Sequence, residues 1–170
     1  MLSVAFFRNL NQGQRASPSR DVLLAAFAEA GATDVAPYRS NGTVIFAAEH
    51  PTSCANAVAT LLAERSPWSD TVFARSAAWV AEFGGGLAAA PPGPPTRTEI
   101  SFFDESMVLD GLPIVGARHT TVAGGSGYAI TVNDRATEGH ATSSLERLLG
   151  GPVTSRSLGT LIGLAERLTA

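Results

Sequence analysis

The order of the apolar segments in its first half is the feature that most restricts the fold of this 170-residue chain. Leu2 to Phe7 is an apolar, strand-like run, and three more strand segments follow at Asp34 to Tyr38, Thr43 to Ala48 and Thr71 to Arg75. Apolar residues at helical spacing lie between the first and second strands and between the third and fourth. This order predicts an α+β protein that contains a ferredoxin-like βαββαβ unit.

Residues with special backbone preferences mark the ends of these elements. Ser17 and Pro18 predict the N-cap and the first position of the first helix, and Gly31 predicts its end. Asn41-Gly42 predicts a tight hairpin between the second and third strands, because both residue types tolerate positive φ angles.

Side chains alternate between the two faces of a strand, and both faces of the first strand are apolar. Val4 and Phe6 point one way, and Ala5 and Phe7 point the other way. Helices cover only one face of a ferredoxin-like sheet. We therefore expect the second half of the chain, or a partner chain, to cover the other face.

Glycine and proline runs in the middle of the chain predict a division into two halves. The first half is residues 1–83, a ferredoxin-like unit with a short helix at its end. Residues 84–96 are expected to form an exposed linker. Residues 97–170 are expected to form a second, related α+β half with C-terminal helices, although no internal repeat is visible in the sequence.

The signals in the second half are weaker than those in the first. Glu99 to Phe103 alternates like a strand, and Ala117 to Ala123 with Tyr128 to Asn133 resembles a hairpin. Ser143 begins a capping-box spacing that predicts the start of a short helix. Leu158 to Leu168 carries the apolar stripe of a last helix.

Composition excludes several classes of function. All twelve basic residues are arginine, so lysine Schiff bases and phosphate-loop lysines are excluded, and cationic binding depends on arginine. The net charge of −3 does not predict a nucleic-acid surface. The single cysteine, Cys54, and the lack of a signal-peptide pattern or a membrane-length apolar run predict a soluble, cytoplasmic protein without membrane contact.

Three motifs, in the same order along the chain, carry a family resemblance. Arg8-Asn9-Leu10-Asn11-Gln12-Gly13 resembles an Arg-Gly-Ile-Asn-Val-Gly-Gly signature. The run from Ser40 to Phe46 resembles a Ser-Gly-Asn-Val-Val-Phe hairpin, and the run from Thr154 to Thr160 resembles Thr-Thr-Arg-Asn-Trp-Asn-Thr. These motifs resemble the bacterial domain of unknown function 1697. The resemblance implies an α+β protein with ferredoxin-like halves and supplies no activity.

Strand order places several polar residues at one end of the predicted sheet. The first and second strands run parallel in a βαββαβ sheet, so the loop after the first and the hairpin after the second lie at the same end. A C-terminal segment that docks there would add an arginine. The predicted ligand-binding residues are Arg8, Asn9, Asn11, Gln12, Arg39, Ser40, Asn41, Thr43 and Arg156.

We expect this edge to bind a small anionic or nucleotide-like ligand, since the first helix also begins near it. The alternative is that the arginines pair with acids and the asparagines satisfy turn backbones. Two other functions stay open: an interaction or structural module, including a homodimer, and a less favoured RNA-binding module. An enzyme whose cofactor supplies the chemistry is the least supported reading.

No catalytic motif, metal site or cofactor is predicted. His50, His119 and His140 are scattered along the chain, and each is expected to be a surface or loop residue. Cys54 lies among small residues and is expected to be packed and inert. The sequence leaves enzymatic activity undecided.

Overall fold

A computed structural model describes residues 1–170, which divide into two units, Met1–Val80 and Ala81–Ala170. The chain has five helices and two antiparallel sheets, which confirms the predicted α+β class. No helix is long and apolar enough to cross a membrane.

The first unit has the predicted βαββαβ order. Its elements are β1 (Leu2–Phe7), α1 (Arg20–Glu29), β2 (Thr33–Tyr38), β3 (Thr43–Ala47), α2 (Pro51–Arg65) and β4 (Val72–Ser76). The sheet order is β2-β3-β1-β4, and all neighbouring strands are antiparallel. This arrangement is the ferredoxin-like topology, with β1 and β3 in the centre.

The start of α1 differs from the prediction. Ser19, not Ser17, is the N-cap, and its hydroxyl accepts a hydrogen bond from the Val22 amide at 3.3 Å. The Ser17 hydroxyl instead accepts a hydrogen bond from the Asn11 amide at 2.9 Å and so stabilises the preceding loop. Gly31 lies just after the helix with a φ of 81°, as expected for a glycine that ends a helix.

Aromatic residues build the core between the sheet and the two helices. Phe7 makes edge-to-face contacts with Phe27 and Trp68, with ring centroids 6.0 and 5.6 Å apart. Val4 and Phe6, on the opposite face of β1, are also fully buried. Both faces of this central strand are therefore buried, as the apolar alternation predicts.

The second unit repeats the strand order of the first. The later elements of the chain are α3 (Ala77–Ala89), β5 (Thr98–Phe102), β6 (Ile114–Val115), β7 (His119–Gly125), β8 (Tyr128–Asn133), α4 (Ala141–Leu149), β9 (Thr154–Ser157) and α5 (Leu158–Thr169). The sheet order is β6-β7-β8-β5-β9. Without the short edge strand β6, the order β7-β8-β5-β9 corresponds to the order β2-β3-β1-β4 of the first sheet. The segment 103–113 of the second unit stands where the first unit has α1.

The last strands of the two units, β4 and β9, share a structural repeat that the sequence did not reveal. Arg75 pairs with the third residue of β1, and Arg156 pairs with the third residue of β5. Both arginines are buried. Each is followed by a serine, Ser76 or Ser157, whose hydroxyl accepts an amide hydrogen bond from three residues ahead at 3.2 Å.

Two segments of the second half differ from the predictions. Helix α3 continues through Gly84–Gly86 to Ala89, so the first six residues of the predicted linker are helical. Gly84 permits this packing, because a Cβ there would lie 2.7 Å from the Leu161 carbonyl oxygen of α5. Helix α4 begins at Ala141, two residues before the predicted Ser143, and no side chain caps it.

Candidate functional site

The two loops that were predicted to meet at one end of the first sheet are in contact. The Gln12 amide donates a hydrogen bond to the Ser40 carbonyl at 2.7 Å, and the Phe7 amide donates one to the Gly42 carbonyl at 2.8 Å. Gly42 has a φ of 68°, and a Cβ there would lie 2.8 Å from the carbonyl oxygen of Leu10. We call the segments 8–13, 39–43 and 68–71 at this end of the sheet the loop edge.

The charge of Arg8 is compensated within the loop edge. Its Nη1 donates to the Asp70 carboxylate at 2.8 Å, and the Asn9 side-chain amide donates to the same oxygen at 2.8 Å. The Trp68 indole N–H donates to the Arg8 carbonyl at 2.9 Å. Sequence reasoning missed Asp70 and Trp68. Asp70 was recognisable in principle, because it precedes β4, whose start lies beside the end of β1.

The other predicted residues of the loop edge differ in exposure. Asn11, Arg39 and Ser40 are exposed, and the Arg39 guanidinium lies 5.6 Å from the centre of the Tyr38 ring. Gln12 Nε2 and Asn41 Oδ1 are buried atoms without a hydrogen-bond partner. Thr43 is buried in β3. This edge therefore has one exposed guanidinium in the hairpin and two buried, unsatisfied amide atoms.

Arg156 belongs to the second unit and is buried there in β9. Its Nη1 donates to the Thr154 hydroxyl and to the Ser155 carbonyl, both at 2.9 Å. Burial lowers the pKa of Arg156 to about 10. Both of these hydrogen bonds lie within its own strand.

The second unit contains a cavity of about 360 Å³ between the turn that precedes β7 and the first turns of α4. We call it the histidine cavity. Four of its residues are arginine or histidine, and two are serine. It is lined by Gly116, Ala117, Arg118, His119, His140, Ser143, Ser144 and Arg147.

His119 is the most buried polar residue of this cavity, with only 9% of its surface exposed. Its ring lies against Gly116, where a Cβ would be 2.7 Å from Nε2 and 2.9 Å from Nδ1. The ring also stacks on His140, with centroids 6.0 Å apart and planes at 27°. No protein group forms a hydrogen bond with either ring nitrogen of His119. The cavity is therefore where these nitrogens can find a partner.

A network of acceptors orients His140 at the start of α4. Its Nε2 lies 3.0 Å from the Glu138 carboxylate, and this hydrogen bond is the main cause of a lowered pKa of Glu138. The His140 amide donates to the Asn133 side chain at 3.4 Å, and Asn133 donates to Glu99 at 2.7 Å. Because no side chain caps α4, the N–H groups of its first turn add positive potential to the cavity.

The expectation that each histidine is a surface or loop residue is wrong for His119, which is buried in β7, whereas His140 lies in the loop before α4 and is half-buried. Register places His119 opposite Asn133, and a short loop then returns the chain to His140 beside it. His50 is the equivalent residue before α2 in the first unit, and it is exposed, with Glu49 4.0 Å away. Such a meeting depends on strand register, which the spacing of histidines along the sequence does not reveal.

Cys54 is buried, as its small neighbours predicted, and burial raises the pKa of its thiol. A thiol of this kind carries little thiolate at neutral pH and is a poor nucleophile. No group of three His, Cys, Asp or Glu side chains is arranged to hold a metal ion.

Comparisons with known proteins give a family and a fold. The sequence model of the family described as "Protein of unknown function (DUF1697)" matches residues 1–119. The chain is similar to the solved structure of the conserved bacterial protein SP0830 from Streptococcus pneumoniae, with a TM-score of 0.64 and 15% sequence identity. That similarity covers 99% of this chain and 98% of the other. No curated protein matches the sequence.

Proposed function

The chain belongs to the DUF1697 family, whose function is unknown, and we propose that it binds a small anionic ligand in the histidine cavity. The observation that carries this proposal is His119, a nearly buried imidazole without a hydrogen-bond partner that faces a cavity flanked by two arginines. The ring nitrogens are not fully enclosed by protein atoms, so they can exchange hydrogen bonds with a ligand in the cavity.

The charges around the cavity favour an anion. Arg118 and Arg147 approach from different elements, the turn before β7 and the last turn of α4. Guanidinium groups bind carboxylate and phosphate oxygens with paired, charge-assisted hydrogen bonds. Ser144 adds a hydroxyl group at the start of the helix, whereas the Ser143 hydroxyl donates to the His140 carbonyl at 3.5 Å. The Glu138 carboxylate is already engaged by its hydrogen bond with His140.

The loop edge is the second candidate site for the same function. The unpartnered atoms Gln12 Nε2 and Asn41 Oδ1 and the exposed Arg39 of the same hairpin edge favour it. The Arg8–Asp70 pair argues against a strongly anionic ligand there, because the charge of Arg8 is already balanced. The predicted self-association stays a prediction, for which light scattering is the test.

Calorimetric titration with citrate and with inorganic phosphate tests the proposal. We expect binding to the wild-type protein and a loss of roughly tenfold or more in affinity in Arg147→Ala, as for the loss of a charge-assisted contact. Arg167→Ala is the matched control, because Arg167 occupies the last turn of α5 as Arg147 occupies that of α4. The control should bind like the wild type.

Arg39→Ala distinguishes the two candidate sites. If Arg39→Ala abolishes binding while Arg147→Ala preserves it, the ligand binds at the loop edge and the histidine cavity is the wrong site. If neither probe binds the wild-type protein at low salt, the proposed function is wrong.

A further inference from the structure

We infer that the ligand of the histidine cavity is a small hydroxy-dicarboxylate, whose carboxylates bind Arg118 and Arg147 and whose hydroxyl bonds to His119. This inference rests on the proposed function and goes further, because it names the chemical class of the ligand. Three features of the cavity carry it: the polar groups that have no partner within the protein, the number of guanidiniums, and the volume.

Several polar groups of the cavity are already used within the protein. The Ser143 hydroxyl donates to the His140 carbonyl at 3.5 Å, and Arg147 Nε donates to the Ser143 carbonyl at 3.2 Å. The His140 ring is held by the Glu138 carboxylate at 3.0 Å. The groups of the lining that form no hydrogen bond in the protein are the guanidinium of Arg118, the terminal nitrogens of Arg147, the ring of His119 and the hydroxyl of Ser144.

The two arginines of the cavity indicate a ligand with two carboxylates. Arg118 lies in the turn before β7 and Arg147 in the last turn of α4. Each guanidinium can bind one carboxylate with paired, charge-assisted hydrogen bonds. Glu138 is engaged by His140 and forms no salt bridge with either arginine. A dicarboxylate therefore matches the guanidiniums in number and charge, whereas a monocarboxylate leaves one of them without a partner.

The ring of His119 indicates a hydroxyl on the same ligand. Neither of its nitrogens bonds to the protein, although the residue is nearly buried and its ring stacks on His140. A neutral imidazole has one N–H that donates and one bare nitrogen that accepts. A carboxylate only accepts hydrogen bonds and so leaves the bare nitrogen without a donor. A hydroxyl supplies that donor, and the Ser144 hydroxyl can accept or donate beside it.

The volume of the cavity limits the size of the ligand. It is about 360 Å³, at the lower end of the range of about 300–1,000 Å³ that is usual for small-molecule sites. The His119 ring fills the space beside Gly116, where a Cβ would lie 2.7 Å from Nε2. Malate is therefore a suitable probe, because it carries two carboxylates and one hydroxyl on a short carbon chain.

Calorimetric titrations with malate, succinate and lactate at one pH and one ionic strength test the inference. Succinate lacks only the hydroxyl of malate, and lactate keeps a hydroxyl but has one carboxylate. Both enantiomers of malate and of lactate are titrated. We expect the better enantiomer of malate to bind about tenfold more tightly than succinate, as for one hydrogen bond. It should also bind about tenfold or more tightly than lactate, as for one charge-assisted contact.

His119→Phe tests the hydroxyl contact, because it keeps an aromatic ring beside His140 and removes both nitrogens. The ratio of malate to succinate affinity should fall from about tenfold to about one. Arg147→Ala is the control within the cavity, since it should weaken both ligands by the same factor and preserve their ratio. NMR of the imidazole nitrogens gives a readout on the wild-type protein, in which malate should shift the His119 signals more than succinate does and leave those of the exposed His50 unchanged.

The outcomes separate the inference from the proposal on which it rests. Equal affinities for malate and succinate, or an unchanged ratio in His119→Phe, would overturn the hydroxyl contact. Equal affinities for malate and lactate would overturn the assignment of a dicarboxylate. If citrate or inorganic phosphate binds but malate does not, the ligand class is wrong and anion binding stands. No binding of any of these five compounds would instead reject the proposed function.

Discussion

Asp70 is expected to stabilise the loop edge, and its replacement by alanine tests how firmly Arg8 is held there. The carboxylate accepts hydrogen bonds from Arg8 Nη1 and Asn9 Nδ2, both at 2.8 Å, and from the Thr71 amide at 2.7 Å. In Asp70→Ala all three donors lose this acceptor. The variant therefore removes the side-chain link between the end of β1 and the start of β4 and leaves the backbone hydrogen bond from the Arg8 amide to the Thr71 carbonyl in place.

The expected size of the effect follows from the exposure of the pair. Hydrogen bonds to a charged group contribute about 1.5–3 kcal/mol when buried, but the Arg8 and Asp70 side chains are 25% and 17% exposed. Water screens the pair and can replace part of its hydrogen bonding. We therefore expect Asp70→Ala to lower the free energy of unfolding by about 2 kcal/mol, of which about 1 kcal/mol is the coupling between Arg8 and Asp70.

Urea unfolding of a double-mutant cycle measures this coupling. The cycle combines Asp70→Ala with Arg8→Met, which keeps an unbranched apolar stem in place of the charged group. The matched control is the same cycle on Glu29 and Arg65, whose atoms are 2.6 Å apart but whose side chains are 53% and 38% exposed. We expect a coupling of only about 0.3–0.5 kcal/mol in the control, as is usual for exposed pairs.

A coupling between Arg8 and Asp70 no larger than that of the exposed control pair would refute this reasoning. In that case Asp70 would not hold Arg8 against contact with a ligand, and the loop edge would become the stronger candidate for an anion site.

Two further predictions concern the helices. Gly84→Ala should lower the free energy of unfolding by about 1–3 kcal/mol, because the new Cβ overpacks against α5. Gly85→Ala should raise the free energy of unfolding by about 0.5–1 kcal/mol, because a Cβ there meets open space. Equal effects of the two substitutions in urea unfolding would contradict the packing argument. The raised pKa of Cys54 means that its contribution to stability is present below the pKa of an unfolded cysteine and is lost as the pH rises through the higher folded value. We therefore expect slow labelling by a thiol reagent at pH 8 in the folded protein and rapid labelling in urea, and rapid labelling of the folded protein would show that the thiol is not buried.

Local signals predicted the first unit well because they act over a few residues. The bounds of β1 are those that its apolar run predicted, and Gly31 and Gly42 have the positive φ angles expected at a helix end and in a hairpin. The N-cap of α1 was misplaced by two residues, because Ser17 and Ser19 are chemically equal candidates. Only the path of the preceding loop, to which Ser17 bonds, decides between them.

The glycine run in α3 shows where local preference fails. Three consecutive glycines favour an end to the helix on intrinsic propensity, yet α3 continues through them. The reason is tertiary, since α5 packs so closely that Gly84 has no room for a side chain. Packing against a neighbouring helix thus outweighs the low helix propensity of the glycines. The sequence around the glycines does not indicate this packing, because α5 is distant along the chain.

The sequence by itself determined the element order of the first half, and with it the sheet topology that brings the loop after β1 to the hairpin after β2. It also determined that this end of the sheet is polar. Tertiary structure alone decided which charges remain available, because Arg8 meets Asp70 through the pairing of β1 with β4. It also brought His119 to His140, since strand register and the return loop set that distance, and neither is encoded in the spacing of the two histidines.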